Sequence, residues 1–373
     1  MTSPVSGPVT GRTTGPSLDL LGQRETGPFL EVRDLRVHFP TDDGVVKSVD
    51  GLSFSVERGR TLGIVGESGS GKSVTSLSVM GLHPKGTAEI SGSIRLDDQE
   101  LVGADPDVVR RMRGKRMAMI FQDPLSAMNP FYTVGKQIME AYRIHNDVSR
   151  SAARRHAIDM LGRVGIPEPD SRVDAYPHQF SGGMRQRAMI AMALSCDPDL
   201  LIADEPTTAL DVTVQAQILD LIRDLQREFD SAVIIITHDL GVVAELADDI
   251  LVMYAGRAME HGSAEQLFEE PEHPYTWGLL ASMPRFDRPR SARLNPIPGT
   301  PPSLINVPSG CPFHPRCAFE PQTGGLGRSE RPELLPVAGG RPRPGAQREH
   351  LVACHLAHAR RRELFEQEIK PKL

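Results

Sequence analysis

One stretch decides the fold of this chain: Gly66-Glu67-Ser68-Gly69-Ser70-Gly71-Lys72-Ser73, directly after the apolar run Leu62 to Val65. A strand, a glycine-rich turn and a helix that opens on Gly-Lys-Ser are typical of a nucleoside triphosphate site. The glycines let backbone N–H groups surround phosphate oxygens, and the helix N-terminus adds its positive dipole. We expect Lys72 to contact the β and γ phosphates of ATP and Ser73 to bind Mg²⁺. We call residues 66–73 the phosphate loop.

A second element places carboxylates near this loop. Leu200 to Ala203 is a short apolar run of the kind that forms a buried parallel strand, and it ends in Asp204 and Glu205. Carboxylates at the carboxyl end of such a strand lie where the Mg²⁺ shell must be. Asp204 is therefore predicted to hold the metal and Glu205 to polarise the attacking water. The alternative is a solvated acidic turn at the end of a core strand.

A third element is a second glycine turn, Ser181-Gly182-Gly183-Met184-Arg185-Gln186, at the start of a predicted helix from Met184 to Ala193. This helix N-terminus can also bind phosphate. Because one ATP does not need two cradles in one subunit, we expect this turn to serve a nucleotide held by another subunit. An ordinary glycine turn capped by Ser181 is the alternative. We call residues 181–186 the signature turn.

Together these elements resemble the ATP-binding subunits of ABC transporters over roughly residues 29 to 265. The signature turn is similar to that family's signature motif, and Ala209-Leu210-Asp211 to the loop that crosses its dimer interface. The resemblance implies that Gln122 binds Mg²⁺, senses the γ-phosphate and contacts membrane subunits. It also implies that His238 touches the γ-phosphate and that Phe39 stacks on adenine.

Two of these residues have a simpler interpretation. A histidine at a strand end is often a structural residue, and an aromatic side chain in a strand usually packs in the core. The position of His238 after the strand Val233 to Ile236 favours the catalytic role. The predicted catalytic residues are Lys72, Gln122, Glu205 and His238. The predicted nucleotide-binding residues are Phe39, Gly66, Glu67, Ser68, Gly69, Ser70, Gly71, Lys72, Ser73, Ser181, Gly182, Gly183, Gln186 and Asp211.

Composition limits the classes of protein. The net charge of −6 argues against a nucleic-acid binder, and no apolar run approaches the ~20 residues of a membrane span. Residues 1–28 are rich in Gly, Pro, Ser and Thr, which predicts a disordered extension and not a secretory signal. We therefore expect a soluble subunit that meets a membrane through its partners.

The predicted fold class is α/β. Residues 29–272 are expected to form a P-loop ABC ATPase domain with an open, mostly parallel sheet, an antiparallel β subdomain and a helical subdomain over about 125–195. Residues 255–272 are interpreted as a closing helical piece. Residues 273–373 are expected to form an irregular, proline-rich C-terminal extension, with one amphipathic helix from Ala357 to Ile369.

The C-terminal extension resembles that of di- and oligopeptide importer ATPases. The similar segments are His273-Pro274-Tyr275, Ile297 to Pro302, Gly310-Cys311-Pro312-Phe313-His314-Pro315-Arg316-Cys317 and Val352 to Leu356. The resemblance implies a subunit at the cytoplasmic face of the membrane that powers peptide import. It also implies two permease subunits, a second homologous ATPase in a heterodimer or homodimer, and an extracytoplasmic solute-binding protein. The alternatives are another solute such as nickel, or an ABC ATPase outside transport.

Three of the four cysteines, Cys311, Cys317 and Cys354, fall in the C-terminal extension. Related tails often carry a further cysteine, and some hold a [4Fe–4S] cluster; this chain has none between residues 318 and 353. His314 or His355 is a candidate fourth ligand for such a cluster or for a Cys₃His zinc site. Reduced structural thiols are the alternative. Cys196 is interpreted as a small core residue.

Overall fold

The computed structural model describes residues 28–208, 210–283, 296–337 and 349–373. The predicted disordered extension, apart from its last residue, lies outside the described residues, and so does Ala209. In the described ranges, no helix has both the length and the apolar character that a membrane span requires.

The strands of the described residues form two sheets. In chain order they are β1 (Leu30–Thr41), β2 (Gly44–Val56), β3 (Thr61–Val65), β4 (Glu89–Leu96), β5 (Gln99–Glu100), β6 (Met117–Ile120), β7 (Leu200–Asp204), β8 (Ala232–Thr237), β9 (Asp249–Tyr254), β10 (Arg257–Ser263), β11 (Leu335–Pro336) and β12 (Leu351–Val352).

The helices connect and cover these strands. They are α1 (Lys72–Val79), α2 (Pro106–Met112), α3 (Pro124–Ala127), α4 (Val134–His145), α5 (Arg150–Arg163), α6 (Pro169–Arg172), α7 (Gly182–Ala193), α8 (Val212–Phe229), α9 (Leu240–Leu246), α10 (Ala264–Glu269), α11 (Pro274–Ala281), α12 (Leu326–Ser329) and α13 (His358–Leu364).

The larger sheet has the strand order β11-β12-β10-β9-β3-β8-β7-β6. The five strands from β9 to β6 are parallel, and β10, β11 and β12 pair antiparallel. Every residue of β3, β7, β8 and β9 is buried, because other elements cover both faces of these parallel strands. The predicted open, mostly parallel sheet is confirmed.

The smaller sheet is antiparallel, with the order β2-β1-β4-β5. Its apolar residues, among them Leu35, Val49 and Ile94, join the core on one side of the larger sheet. On the other side, helices α4, α5 and α7 pack around Ile138, Leu161 and other buried apolar residues. The two groups of residues together cover both faces of the parallel strands.

The predicted helical piece at residues 255–272 is wrong in its first half. Ala255 and Gly256 take positive φ angles of 49° and 78° and reverse the chain, so that β10 runs back along β9. Only residues 264–269 are helical, as α10. The short, largely polar strand Arg257–Ser263 lacks clear alternation, and its pairing with β9 decides its structure.

The C-terminal extension continues the sheet, since β12 pairs with β10 and β11 pairs with β12. The helix predicted from Ala357 to Ile369 is present as α13, followed by a π-helical turn over Phe365–Ile369. Its apolar face packs Leu364 and Phe365 against Trp277, which is 1% exposed. This contact fastens the end of the chain to α11.

His273 gives the C-terminal extension a pH-dependent stability. The residue is buried, Nδ1 accepts a hydrogen bond from the Tyr275 amide at 3.0 Å, and burial lowers its pKa to about 4. In the unfolded chain the pKa of His273 is about 6.5. The neutral, buried side chain therefore contributes fully to the free energy of unfolding above pH 6.5, and this contribution is lost as the pH falls towards 4. When the pH falls from 7 to 5, we expect the titration of His273 to lower the free energy of unfolding by about 2 kcal/mol.

Urea unfolding of the wild type and of His273→Asn at both pH values checks this expectation. Asparagine keeps an acceptor for the helix cap and removes the titration. The variant is expected to lose less stability than the wild type on acidification. An equal loss in both proteins would contradict the role of His273.

Candidate active site

The candidate site lies at the carboxyl ends of three neighbouring parallel strands. The phosphate loop follows β3, Glu205 follows β7 and His238 follows β8. Because β3, β8 and β7 are adjacent and parallel, their ends meet at one edge of the sheet. This topology brings together residues that lie more than 160 positions apart in the sequence (238 − 72 = 166).

Two glycines fit the phosphate loop into this edge. A Cβ on Gly66 would lie 2.2 Å from the Met253 carbonyl oxygen, and a Cβ on Gly71 would lie 2.2 Å from the Ser48 carbonyl oxygen. Both residues also have positive φ angles, 154° and 102°, which glycine adopts without strain. The loop is therefore packed tightly against β9 and β2, and neither position accepts a side chain.

Lys72 is held by other residues of the phosphate loop. Its Nζ donates to the carbonyl oxygen of Gly66 at 2.7 Å, to that of Glu67 at 3.0 Å and to Ser70 Oγ at 3.4 Å. The side chain is buried, and burial lowers its pKa against the opposing charges of nearby carboxylates. The ammonium group thus lies inside the loop, bound only to neutral acceptors.

Ser73 and Asp204 meet as predicted from the sequence. Ser73 Oγ lies 3.2 Å from Asp204 Oδ1, and the carboxylate is 5% exposed. Burial raises the pKa of Asp204, the Ser73 hydrogen bond lowers it, and the charge of Glu205 raises it further. A hydroxyl and a buried carboxylate side by side are oxygen ligands of the kind that Mg²⁺ takes, so these residues fit that ion.

Glu205 is the centre of a polar cluster. Its Oε2 accepts hydrogen bonds from Gln122 Nε2 and Thr208 Oγ1, both at 2.9 Å, and its Oε1 lies 3.3 Å from His238 Nδ1. The backbone of Glu205 has a φ of 48°, a left-handed conformation that is uncommon for a non-glycine residue and recurs at functional sites. The structure therefore places two of the predicted catalytic residues, Gln122 and His238, around the carboxylate of a third, Glu205. The sequence analysis missed Thr208.

The signature turn lies at the start of α7, and its first two residues, Ser181 and Gly182, are exposed. Ser181 caps the helix by accepting a hydrogen bond from the Met184 amide at 3.3 Å, and the space where a Cβ of Gly182 would lie is open. Gln186, in contrast, is 3% exposed and donates to the Pro206 carbonyl oxygen at 2.7 Å. Gln186 thus faces its own chain and ties the turn to the segment after Glu205.

Some predicted site residues do not come together within this chain. Among the described residues, no hydrogen bond or ion pair joins the signature turn to the phosphate loop. Asp211 is exposed and caps α8 through the Val214 amide at 3.0 Å. Phe39 is half-buried against the core, and its ring meets that of His83 edge-on at a centroid distance of 5.6 Å.

Two residues of the C-terminal extension reach the phosphate loop. The Arg316 guanidinium contacts both carboxylate oxygens of Glu67, at 2.5 and 3.0 Å. The hydroxyl of Tyr275 accepts a hydrogen bond from the Glu67 amide at 2.9 Å. The sequence analysis assigned no role to these side chains, and no signal in the sequence pairs Glu67 with Arg316, which are 249 positions apart.

The three cysteines of the C-terminal extension line one small cavity, together with His314 and His355. The cavity measures about 20 Å³, room for roughly one water molecule. Burial raises the pKa of each thiol to about 11. Within the described ranges no group of three or more His, Cys, Asp or Glu residues is arranged to hold a metal. As placed in the structure, these residues therefore do not fit a [4Fe–4S] cluster or a zinc ion.

Comparison with known proteins agrees with this geometry. Residues 49–208 match the ABC transporter family, and residues 259–323 match the C-terminal region of oligopeptide/dipeptide transporters. The oligopeptide transport ATP-binding protein of Haemophilus influenzae is 52% identical over 78% of this chain and 90% of its own length. The dipeptide transport ATP-binding protein of Bacillus subtilis is 54% identical over 77% of this chain and 86% of its own length.

Solved structures show the same fold. The dimeric, post-hydrolysis cassette MJ0796 with ADP and phosphate covers 63% of this chain and 98% of its own, with a TM-score of 0.57 and 23% identity. The protein cbiO1 of Clostridium perfringens, part of the ABC transporter complex cbiONQ, covers 65% of this chain and 91% of its own, with a TM-score of 0.55 and 26% identity. The chain belongs to the ATP-hydrolysing subunits of ABC transporters, in the branch that carries the oligopeptide/dipeptide transporter C-terminal region.

Proposed function

We propose that this chain hydrolyses ATP to power the import of di- or oligopeptides, as one subunit of a membrane transporter. The observation that carries the proposal is the edge where the phosphate loop, Asp204, Glu205 and His238 meet, in a chain with a peptide-transporter C-terminal region. The names of its relatives support peptides as the solute.

Lys72, Ser73 and Asp204 bind the triphosphate end of ATP in this proposal. A phosphate oxygen is a stronger acceptor than the neutral carbonyl oxygens that Lys72 contacts, so ATP takes over its hydrogen bonds. Ser73 and Asp204 would hold Mg²⁺, which neutralises negative charge on the phosphates when bound. Phe39 is proposed to stack on adenine.

Glu205 is proposed to polarise the water that attacks the γ-phosphate. Gln122 and Thr208 donate hydrogen bonds to one carboxylate oxygen and hold the group in place. His238 lies against the other oxygen and is proposed to touch the γ-phosphate. Because three side chains meet Glu205, its carboxylate is positioned before the substrate arrives.

The exposed start of the signature turn supports a second, homologous ATPase subunit, in a heterodimer or a homodimer. Ser181, Gly182 and Gly183 would complete the site around an ATP bound to the partner's phosphate loop, and Asp211 would lie at the interface. ATP binding then closes the dimer, and hydrolysis reopens it. The dimeric state of MJ0796, a cassette of the same fold, agrees with this arrangement.

We also propose two membrane permease subunits as partners. This chain would lie at the cytoplasmic face of the membrane, and a solute-binding protein would act through the permeases. The segment after Gln122 exposes Leu125, Phe131 and Tyr132 by 55%, 84% and 51%. Exposed apolar side chains next to the catalytic cluster offer a contact for membrane subunits. No nucleic-acid partner is proposed.

Co-purification from detergent-solubilised membranes tests the proposal. We expect the tagged chain to bring down two permease-like membrane proteins and a second ATPase, and Phe131→Asp to lose the permeases. Ile144→Asp is the matched control, because Ile144 is 70% exposed but lies at the other end of α4. Recovery of ribosomal or DNA-repair proteins, or of no membrane protein, would reject the transport function. The solute-binding protein of the same transporter is then assayed for peptides and for nickel.

A further inference from the structure

We propose that Arg316, in the C-terminal extension, is a positioning residue of the phosphate loop and sets its affinity for ATP through Glu67. The inference rests on the proposed nucleotide site. It assigns the C-terminal extension a direct part in nucleotide binding, although the extension lies outside the residues that match the ABC transporter family model.

The contact between Arg316 and Glu67 has a fixed geometry. Nη1 lies 2.5 Å from Glu67 Oε2, and Nη2 lies 3.0 Å from Oε1, which makes the pair bidentate. The Arg316 side chain is 4% exposed and that of Glu67 is 28% exposed. A pair of this kind holds orientation as well as distance, in contrast to a single bond from a surface lysine.

Arg316 is itself held from several sides. Its Nε donates to the Pro298 carbonyl oxygen at 2.8 Å, Nη2 to that of Ile297 at 3.3 Å, and Nη1 to the Tyr254 hydroxyl at 3.3 Å. Its hydrogen bond to Glu67 raises its pKa against the effect of burial, so the guanidinium stays charged. The position of Glu67 therefore follows the position of the C-terminal extension.

Tyr275 anchors the backbone at the same residue. Its hydroxyl accepts the Glu67 N–H at 2.9 Å, and its ring is fully buried against Tyr254 and Phe313. The carbonyl oxygen of Glu67 accepts a hydrogen bond from Lys72 Nζ at 3.0 Å. Contacts thus run without a break from the C-terminal extension through Glu67 to the lysine that we expect to bind the phosphates.

The negative charge of Glu67 links the Arg316–Glu67 pair to the affinity for ATP. A carboxylate in the phosphate loop repels the triphosphate unless a cation neutralises it, and Arg316 is the cation in contact with it. A loop held in its binding conformation also loses less entropy when the ligand arrives. Both effects act on ATP affinity, whereas the groups around Glu205 act on turnover.

The test is a mutant cycle in the full-length chain, with ATP affinity measured by a fluorescent ATP analogue. Arg316→Ala is expected to raise the Kd about tenfold and to change kcat at saturating ATP by less than about threefold. Adding Glu67→Gln to Arg316→Ala is expected to restore the Kd to within about threefold of the wild type, because the unpaired charge is gone. Arg328→Ala is the matched control, since the exposed Arg328 forms a bidentate pair with the buried Glu320 at 2.8 and 2.9 Å within the same extension.

The outcomes separate this inference from a purely structural role and from the proposed site. If Arg316→Ala lowers only the melting temperature, or if Glu67→Gln brings no rescue, the inference that Arg316 sets the ATP affinity through Glu67 is wrong. If Arg328→Ala raises the Kd as much, the effect belongs to general loosening of the extension, and the inference is also wrong. Lys72→Ala tests the site itself: retained ATP binding there would reject the nucleotide site, whatever Arg316 does.

Discussion

Glu205→Gln is expected to lower kcat for ATP hydrolysis by roughly 10²- to 10³-fold while the Kd for ATP stays within about threefold. The amide keeps the size of the side chain and can still accept hydrogen bonds from Gln122 and Thr208, so the local structure is retained. It lacks the negative charge and basicity that polarise water. Steady-state ATPase assays and equilibrium binding of ATP measure the two quantities.

The control for this variant is Glu228→Gln, which removes an exposed carboxylate paired with Arg163 at 2.9 Å on the surface. Its activity is expected to match the wild type, because exposed ion pairs contribute little. A Glu205→Gln protein that turns over ATP at a near-normal rate would exclude Glu205 as the group that activates water. A regulatory protein that binds ATP without turnover would show no hydrolysis even in the wild type.

Lys72→Ala is expected to raise the Kd for ATP by roughly 10²-fold and to abolish turnover at cellular ATP concentrations. The ammonium is the buried cation of the loop, and its hydrogen bonds to neutral carbonyl oxygens leave it available for phosphate oxygens. Since these bonds stay within the loop, the fold is expected to survive, and the melting temperature checks it.

The matched control is Lys136→Ala, an exposed lysine in the first turn of α4 that lies outside the site. Unchanged ATP affinity in Lys72→Ala would show that the phosphate loop is not the ATP site. Loss of binding with Lys72→Ala, beside loss of turnover alone with Glu205→Gln, would separate the residue that binds phosphate from the residue that activates water.

The sequence alone determined the elements whose chemistry is local. A glycine loop between an apolar strand and a helix, and a carboxylate at the end of a second apolar strand, can be recognised because their residues are neighbours in the chain. The helix predicted from Met184 to Ala193 is present as α7, which begins two residues earlier and ends at the same residue. The shared edge of these strands follows from the known behaviour of parallel sheets.

The tertiary structure alone decided the contacts between distant segments. The inward turn of Gln186 towards Pro206 depends on how α7 packs, and no local pattern distinguishes it from an outward, nucleotide-facing side chain. Strand β10 forms because β9 offers it an edge, although the sequence of this segment was interpreted as helical. The pair between Arg316 and Glu67 forms only when the extension folds back across the sheet. The two residues are 249 positions apart, and the sequence around neither of them indicates the pairing.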